Sequence, residues 1–93
     1  MGVTVSKWDA AEYLDSDEAV AAYLTDAMES GDQQLIVAAL NTVARARGMT
    51  EIAKDAGIAR QALYKSFGAK GNPTLSTLLG VFKSIGLSLS VKT

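Results

Sequence analysis

The chain has 93 residues, 48% hydrophobic and 20% charged, with one Pro, no Cys and no His, which suits one small domain that closes on packing alone. Without cysteine there is no disulfide framework, thiolate metal site or cysteine nucleophile, and without histidine the usual general base and metal ligand are missing, so the sequence reads as a non-enzyme with no catalytic residues, no metal site and no cofactor. The net charge of −1 hides a split: residues 1–34 carry Lys7 against eight acids, net −7, whereas residues 35–93 carry eight bases against Glu51 and Asp55, net +6, and such asymmetry suggests two partners of opposite sign.

Met1-Gly2-Val3-Thr4-Val5-Ser6 fits the loose myristoylation pattern, but the acids after Lys7 are the wrong sign to support a lipid anchor. No apolar run approaches 18 residues and no secretory h-region is present, so a cytoplasmic protein with no membrane partner is expected. Asp9 can cap a single helical turn. Asp15 stands three residues before Glu18 in a capping-box-like spacing. Val20, Tyr23, Leu24, Ala27 and Met28 then recur on one helix face, and Gly31 suits its stop. Asp32 caps a second helix with Ile36, Ala39, Leu40 and Val43 as its stripe. Arg45 and Arg47 fall in its last turn, where cations complement the helix dipole, before Gly48. Thr50 caps a short helix through Ala56, Gly57 ends it, and residues 60–67 form the next. Residues 68–73 read as a loop. Thr74 caps a last helix with Leu75, Leu78, Leu79, Phe82 and Ile85 on one face, closed by Gly86. Leu87-Ser88-Leu89-Ser90-Val91 alternates with period two and predicts a short C-terminal strand. Its free edge calls for pairing, either with a second copy through Leu87, Leu89 and Val91 or with Val3-Thr4-Val5 of the same chain.

The segment 49–67 carries the most information. Two short helices that cross steeply need a small residue where their backbones touch, a turn residue that tolerates positive φ, and apolar residues sealing the pair. Ala53, Gly57 and the set Ile52, Ile58 and Leu63 meet those needs, which is helix-turn-helix geometry. Arg60, Gln61, Tyr64 and Lys65 then fall on the outer face of the second helix as the candidate base-reading residues, where Arg can pair with guanine and Gln with adenine. Lys54, Lys70 and the amides at the Thr74 helix start can meet phosphates. The bland reading of these cations is a solvated surface. Gly68-Ala69-Lys70-Gly71 lacks P-loop spacing, and Asp15, Asp17 and Glu18 lack the glycine of an EF-hand loop.

Met49-Thr50-Glu51-Ile52-Ala53-Lys54-Asp55-Ala56-Gly57-Ile58-Ala59-Arg60 resembles the helix-turn-helix of Cro- and lambda-repressor-type regulators, and Asn72-Pro73-Thr74-Leu75 with Ile85-Gly86-Leu87 resembles their later helical signatures. More narrowly, Asp9-Ala10-Ala11-Glu12-Tyr13-Leu14, Tyr23-Leu24, Ala44-Arg45-Ala46-Arg47-Gly48-Met49 and Gly71-Asn72-Pro73 resemble the HigA-like addiction module antidotes. Two positions depart from the pattern: Ala59 replaces a capping Ser, and Ser66 stands where an apolar residue often packs. The resemblance implies an all-α, lambda-repressor-like DNA-binding domain over residues 32–93, preceded by an acidic arm and helix at 1–31. It also implies an antitoxin that neutralises a basic RelE/ParE-like toxin and, as a homodimer, represses its own operon by binding operator DNA, with no small-molecule ligand. Trp8, Asp9, Glu12, Tyr13, Asp15 and Asp17 are then the expected toxin contacts, and Thr74 joins Lys54 and Lys70 at phosphate. The alternative is a dimeric transcriptional regulator with no toxin partner.

Overall fold

Residues 10–93 are described in a computed structural model of the chain. Within them a 3-10 turn at Ala10–Tyr13 is followed by five helices: α1 Asp17–Ser30, α2 Gln33–Arg47, α3 Met49–Ala56, α4 Arg60–Ser66 and α5 Leu75–Ser84. Each long helix has a local reason to start where it does. The Ser16 hydroxyl accepts from the Ala19 amide at 3.1 Å and opens α1. Asp32 accepts from the Gln34 and Leu35 amides at 3.0 and 3.3 Å and opens α2. Thr74 accepts from the Thr77 amide at 3.1 Å and opens α5. Each satisfies donors that a helix start leaves without partners.

The junction between α3 and α4 is a tight three-residue turn. Gly57 adopts φ +73°, its amide bonds the Lys54 carbonyl at 3.2 Å, and the Ile58 amide bonds the Ala53 carbonyl at 3.0 Å. This pair of bonds is a Schellman closure, with half-buried Ile58 folded back toward Ala53. Gly86 and Leu87 repeat it at the end of α5, bonding the carbonyls of Lys83 and Phe82.

One core runs through all five helices. It joins Leu14, Val20 and Leu24 to Leu40 and Val43, Ile52 and Ala53, Leu63 and Phe67, and Val81, Phe82 and Ile85. It therefore crosses the α1–α2 junction at Gly31 without a break. α3 packs most extensively on α5, where Gly80 lets the backbone meet Ala56, while α1 lies along α2. Among the described residues no helix is long and apolar enough to cross a membrane.

Four sequence expectations need correction. Ser16, not Asp15, caps α1, because Ser16 is the residue that takes the extended φ −140°, ψ 160° of a cap. α3 begins at Met49 with Gly48 before it and no side-chain cap, so Thr50 lies inside its first turn. The core-facing stripe of α5 is half-buried Leu78 with buried Val81 and Phe82, continued by buried Ile85 at its C-cap. It is rotated away from Leu75 and Leu79, which are 66% and 51% exposed. The expected strand at 87–91 is absent, and no strand occurs among the described residues. The Leu87 amide is spent closing α5, and among the described residues no extended segment forms a ladder with 87–91. Val3-Thr4-Val5, the alternative partner, lies outside the described residues.

Candidate functional site

α4 is held from behind and open in front. Leu63 is fully buried, and the adjoining Phe67 is buried as well. Arg60, Gln61, Tyr64 and Lys65 are all exposed. They stand at i, i+1, i+4 and i+5, so they share one face. No side chain caps the start of α4, where Ala59 takes the cap position. Ser66 is half-buried at its last residue.

Arg60 and Tyr64 form a unit on that face. The Arg60 Nη2 donates to the Tyr64 phenol oxygen at 3.0 Å, and the guanidinium carbon lies over the ring, 5.0 Å from its centre. Arginine over an aromatic face is attracted by the ring quadrupole.

The far end of α4 is anchored to α2. The Asn41 side-chain amide donates to the Phe67 carbonyl at 3.1 Å, and Arg45 Nε donates to Asn41 Oδ1 at 3.1 Å. The loop after α4 then turns back beneath it. Gly71 sits so close to the carbonyls of Lys65 and Ser66 that a Cβ there would lie 2.0 Å from the Ser66 oxygen. This seats exposed Lys70 beside the end of α4. Lys54, on α3, is also exposed. Thr74 is committed locally: besides capping α5, its hydroxyl donates to Thr77 Oγ1 at 3.1 Å.

The acidic region is less uniform than its sequence suggests. Glu12 and Asp15 are exposed, and Tyr13 is 59% exposed beside buried Leu14. Asp17 is engaged by Arg47 at the end of α2. Glu29 pairs with Lys92 at 2.6 Å, which holds the C-terminal segment against α1 and pushes the Lys92 ammonium above the ordinary lysine value of 10.5. Two acids of the negative half are thus matched by bases of the positive half. Trp8 and Asp9 lie outside the described residues.

The C-terminal segment and α1 enclose a groove of about 430 Å³ lined by Leu24, Met28, Phe82 and Leu89. Leu87 packs against the core, while Leu89 and Val91 are exposed, the latter at 98%. No group of three or more acidic side chains among the described residues is placed to hold a metal ion. The Asn41 clamp, the Gly71 seat and the Asp17–Arg47 pair had no sequence expectation attached, since each joins residues that only the fold brings together.

The model of a family described as "probable addiction module antidote protein" matches residues 4–93. Over 85 residues the chain is 42% identical to an uncharacterized protein of Haemophilus influenzae, a match covering 91% of this chain and 88% of that one. No solved structure matches. With the match spanning nearly its whole length, the chain belongs to the family of probable addiction module antidote proteins.

Proposed function

We propose that this chain is the antitoxin of a type II toxin–antitoxin module, with one surface for a toxin and another for operator DNA. The observation that carries the DNA half is the α3–turn–α4 unit. Its second helix is fixed by Leu63 and Phe67 and turns Arg60, Gln61, Tyr64 and Lys65 to solvent. A helix so presented fits the major groove, where Arg and Gln side chains read purine edges. Lys54 and Lys70 serve phosphates, as do the first amides of α5 after Thr74. The chain acts as a homodimer, which sets two α4 helices about 34 Å apart on a palindrome. Leu89 and Val91, beyond the core-packed Leu87, are apolar surface available to the second copy.

The toxin half rests on the family and on charge. An antidote needs a toxin, and the partner we propose is a basic protein of the RelE/ParE-like superfamily. The acids of residues 1–34, net −7 in sequence with Asp17 and Glu29 matched by Arg47 and Lys92, draw such a partner chiefly by raising its on-rate. Glu12, Tyr13 and Asp15 form the described part of that surface, with Trp8 and Asp9 adjoining in sequence. Asp17 contributes to the field while held by Arg47.

Gel shifts on a fragment of the chain's own promoter test the DNA half. Arg60→Ala is expected to cost about 1–3 kcal/mol and to relax base preference at one position. Lys70→Ala should weaken all sequences alike and reduce the salt slope by about one. Wild-type affinity of Arg60→Ala for every sequence would remove α4 as the reader.

A further inference from the structure

We propose that Tyr64 is a positioning residue that presents the Arg60 guanidinium to a base edge, rather than a reader of bases itself; this rests on the DNA reading of α4. A free arginine head on an exposed helix samples many rotamers, and contact with a base would have to select one. Here two bonds to the same side chain restrict it. The Nη2 donates to the phenol oxygen at 3.0 Å, and the guanidinium carbon lies over the ring, 5.0 Å from its centre. The two residues stand four apart on α4, so a single helical turn fixes their separation.

The chemistry of the partner matters as much as its position. The ion pairs seen among the described residues use carboxylates: Asp17 for Arg47 and Glu29 for Lys92. Arg60 is held instead by a neutral phenol. A carboxylate would cancel the guanidinium charge and occupy its fork. The phenol takes one donor and leaves the charge uncompensated. Of the five N–H donors of an arginine, four remain, enough for a bidentate contact with guanine O6 and N7. With its oxygen accepting from Arg60 and its ring backing the guanidinium, Tyr64 acts through that residue.

A double-mutant cycle tests this. The probe is a pool of duplexes randomised over the site and enriched by the wild-type protein. Arg60→Ala, Tyr64→Leu, Tyr64→Phe and Arg60→Ala with Tyr64→Leu are scored for base preference at each position. Both side chains are exposed, so the variants should fold, and melting curves check that they do. Arg60→Ala is expected to flatten preference at one base pair by about tenfold or more. Tyr64→Leu should lose part of that preference at the same base pair and nowhere else. Tyr64→Phe, which keeps the ring, should fall between wild type and Tyr64→Leu. Adding Tyr64→Leu to Arg60→Ala should change nothing further. Losses that multiply, a Tyr64 effect at a different base pair, or no Tyr64 effect would overturn the proposal while leaving α4 as the reader. Failure of wild type to enrich any duplex would overturn the DNA reading and the proposal together.

Discussion

Replacing Gly71 by alanine tests how the Lys70 loop is seated on α4. The added Cβ would fall 2.0 Å from the Ser66 oxygen, 2.4 Å from its carbonyl carbon and 2.8 Å from the Lys65 oxygen. All three are backbone atoms, so no side chain can swing aside. Either the loop lifts or the last turn of α4 opens. Overpacking of this kind costs about 1–3 kcal/mol. A lifted loop also loses the bond from the Gly71 amide to the Gly68 carbonyl, now 2.9 Å, for about 1 kcal/mol more. At about 4–8 °C per kcal/mol for a domain of this size, melting should fall by about 8–32 °C. Gly68 supplies the control: its Cβ would lie 3.3 Å from the Tyr64 oxygen and 3.5 Å from the Lys65 oxygen, a fit that needs only small adjustment. Gly68→Ala should stay within about 3 °C of wild type, since the lost space and the stiffer unfolded chain oppose each other. Thermal unfolding followed by circular dichroism reads both. A Gly71→Ala chain that melts with wild type, or a Gly68→Ala chain that falls as far, would refute the seating.

Other substitutions probe contacts between residues far apart in the sequence. Asn41→Ala removes the donor to the Phe67 carbonyl and should cost about 1–3 kcal/mol in a urea titration while weakening the proposed DNA binding, because the end of α4 is no longer clamped. Asp17→Asn breaks the pair with Arg47; both side chains keep solvent contact, so less than about 1 kcal/mol should be lost, and less still at high salt. Lys92 is held above 10.5 by Glu29, so its contribution is fully present below that value and is lost as pH rises through the raised one. NMR signals of Leu89 and Val91 should therefore hold steady from neutral pH until Lys92 deprotonates, then shift together, and Lys92→Ala should show the released pattern already at neutral pH.

Much of this architecture was legible locally. Asp32 and Thr74 announce their helices because each side-chain oxygen directly precedes its periodic run and accepts from amides two or three residues on. Gly57 marks its turn because the φ of +73° found there suits glycine. The outer face of α4 could be read because Leu63 fixes which side is buried. The α5 stripe could not, because Leu75/Leu78/Leu79/Phe82 and Leu78/Val81/Phe82/Ile85 both satisfy helical spacing, and contact with α3 chooses between them. Ser16 and Asp15 offer equivalent acceptors, so only the backbone decides which one caps. The alternation at 87–91 signalled a strand, but alternation supplies no partner ladder. The clamp from Asn41 to Phe67 spans 26 residues and the Asp17–Arg47 pair spans 30. Separations of that size leave no mark in a local pattern.

The proposed separation of toxin and DNA surfaces is tested most directly by measuring growth rescue and promoter binding for two paired variants, expressed beside the neighbouring reading frame. Glu12→Lys with Asp15→Lys reverses exposed charge; deletion through residue 14 would instead remove Leu14 from the core. Arg60→Ala with Lys65→Ala strips the face of α4. The first pair should lose rescue and keep promoter binding, and the second should keep rescue and lose promoter binding. Undiminished rescue by the first pair, or loss of both activities in either well-folded pair, would contradict the separation.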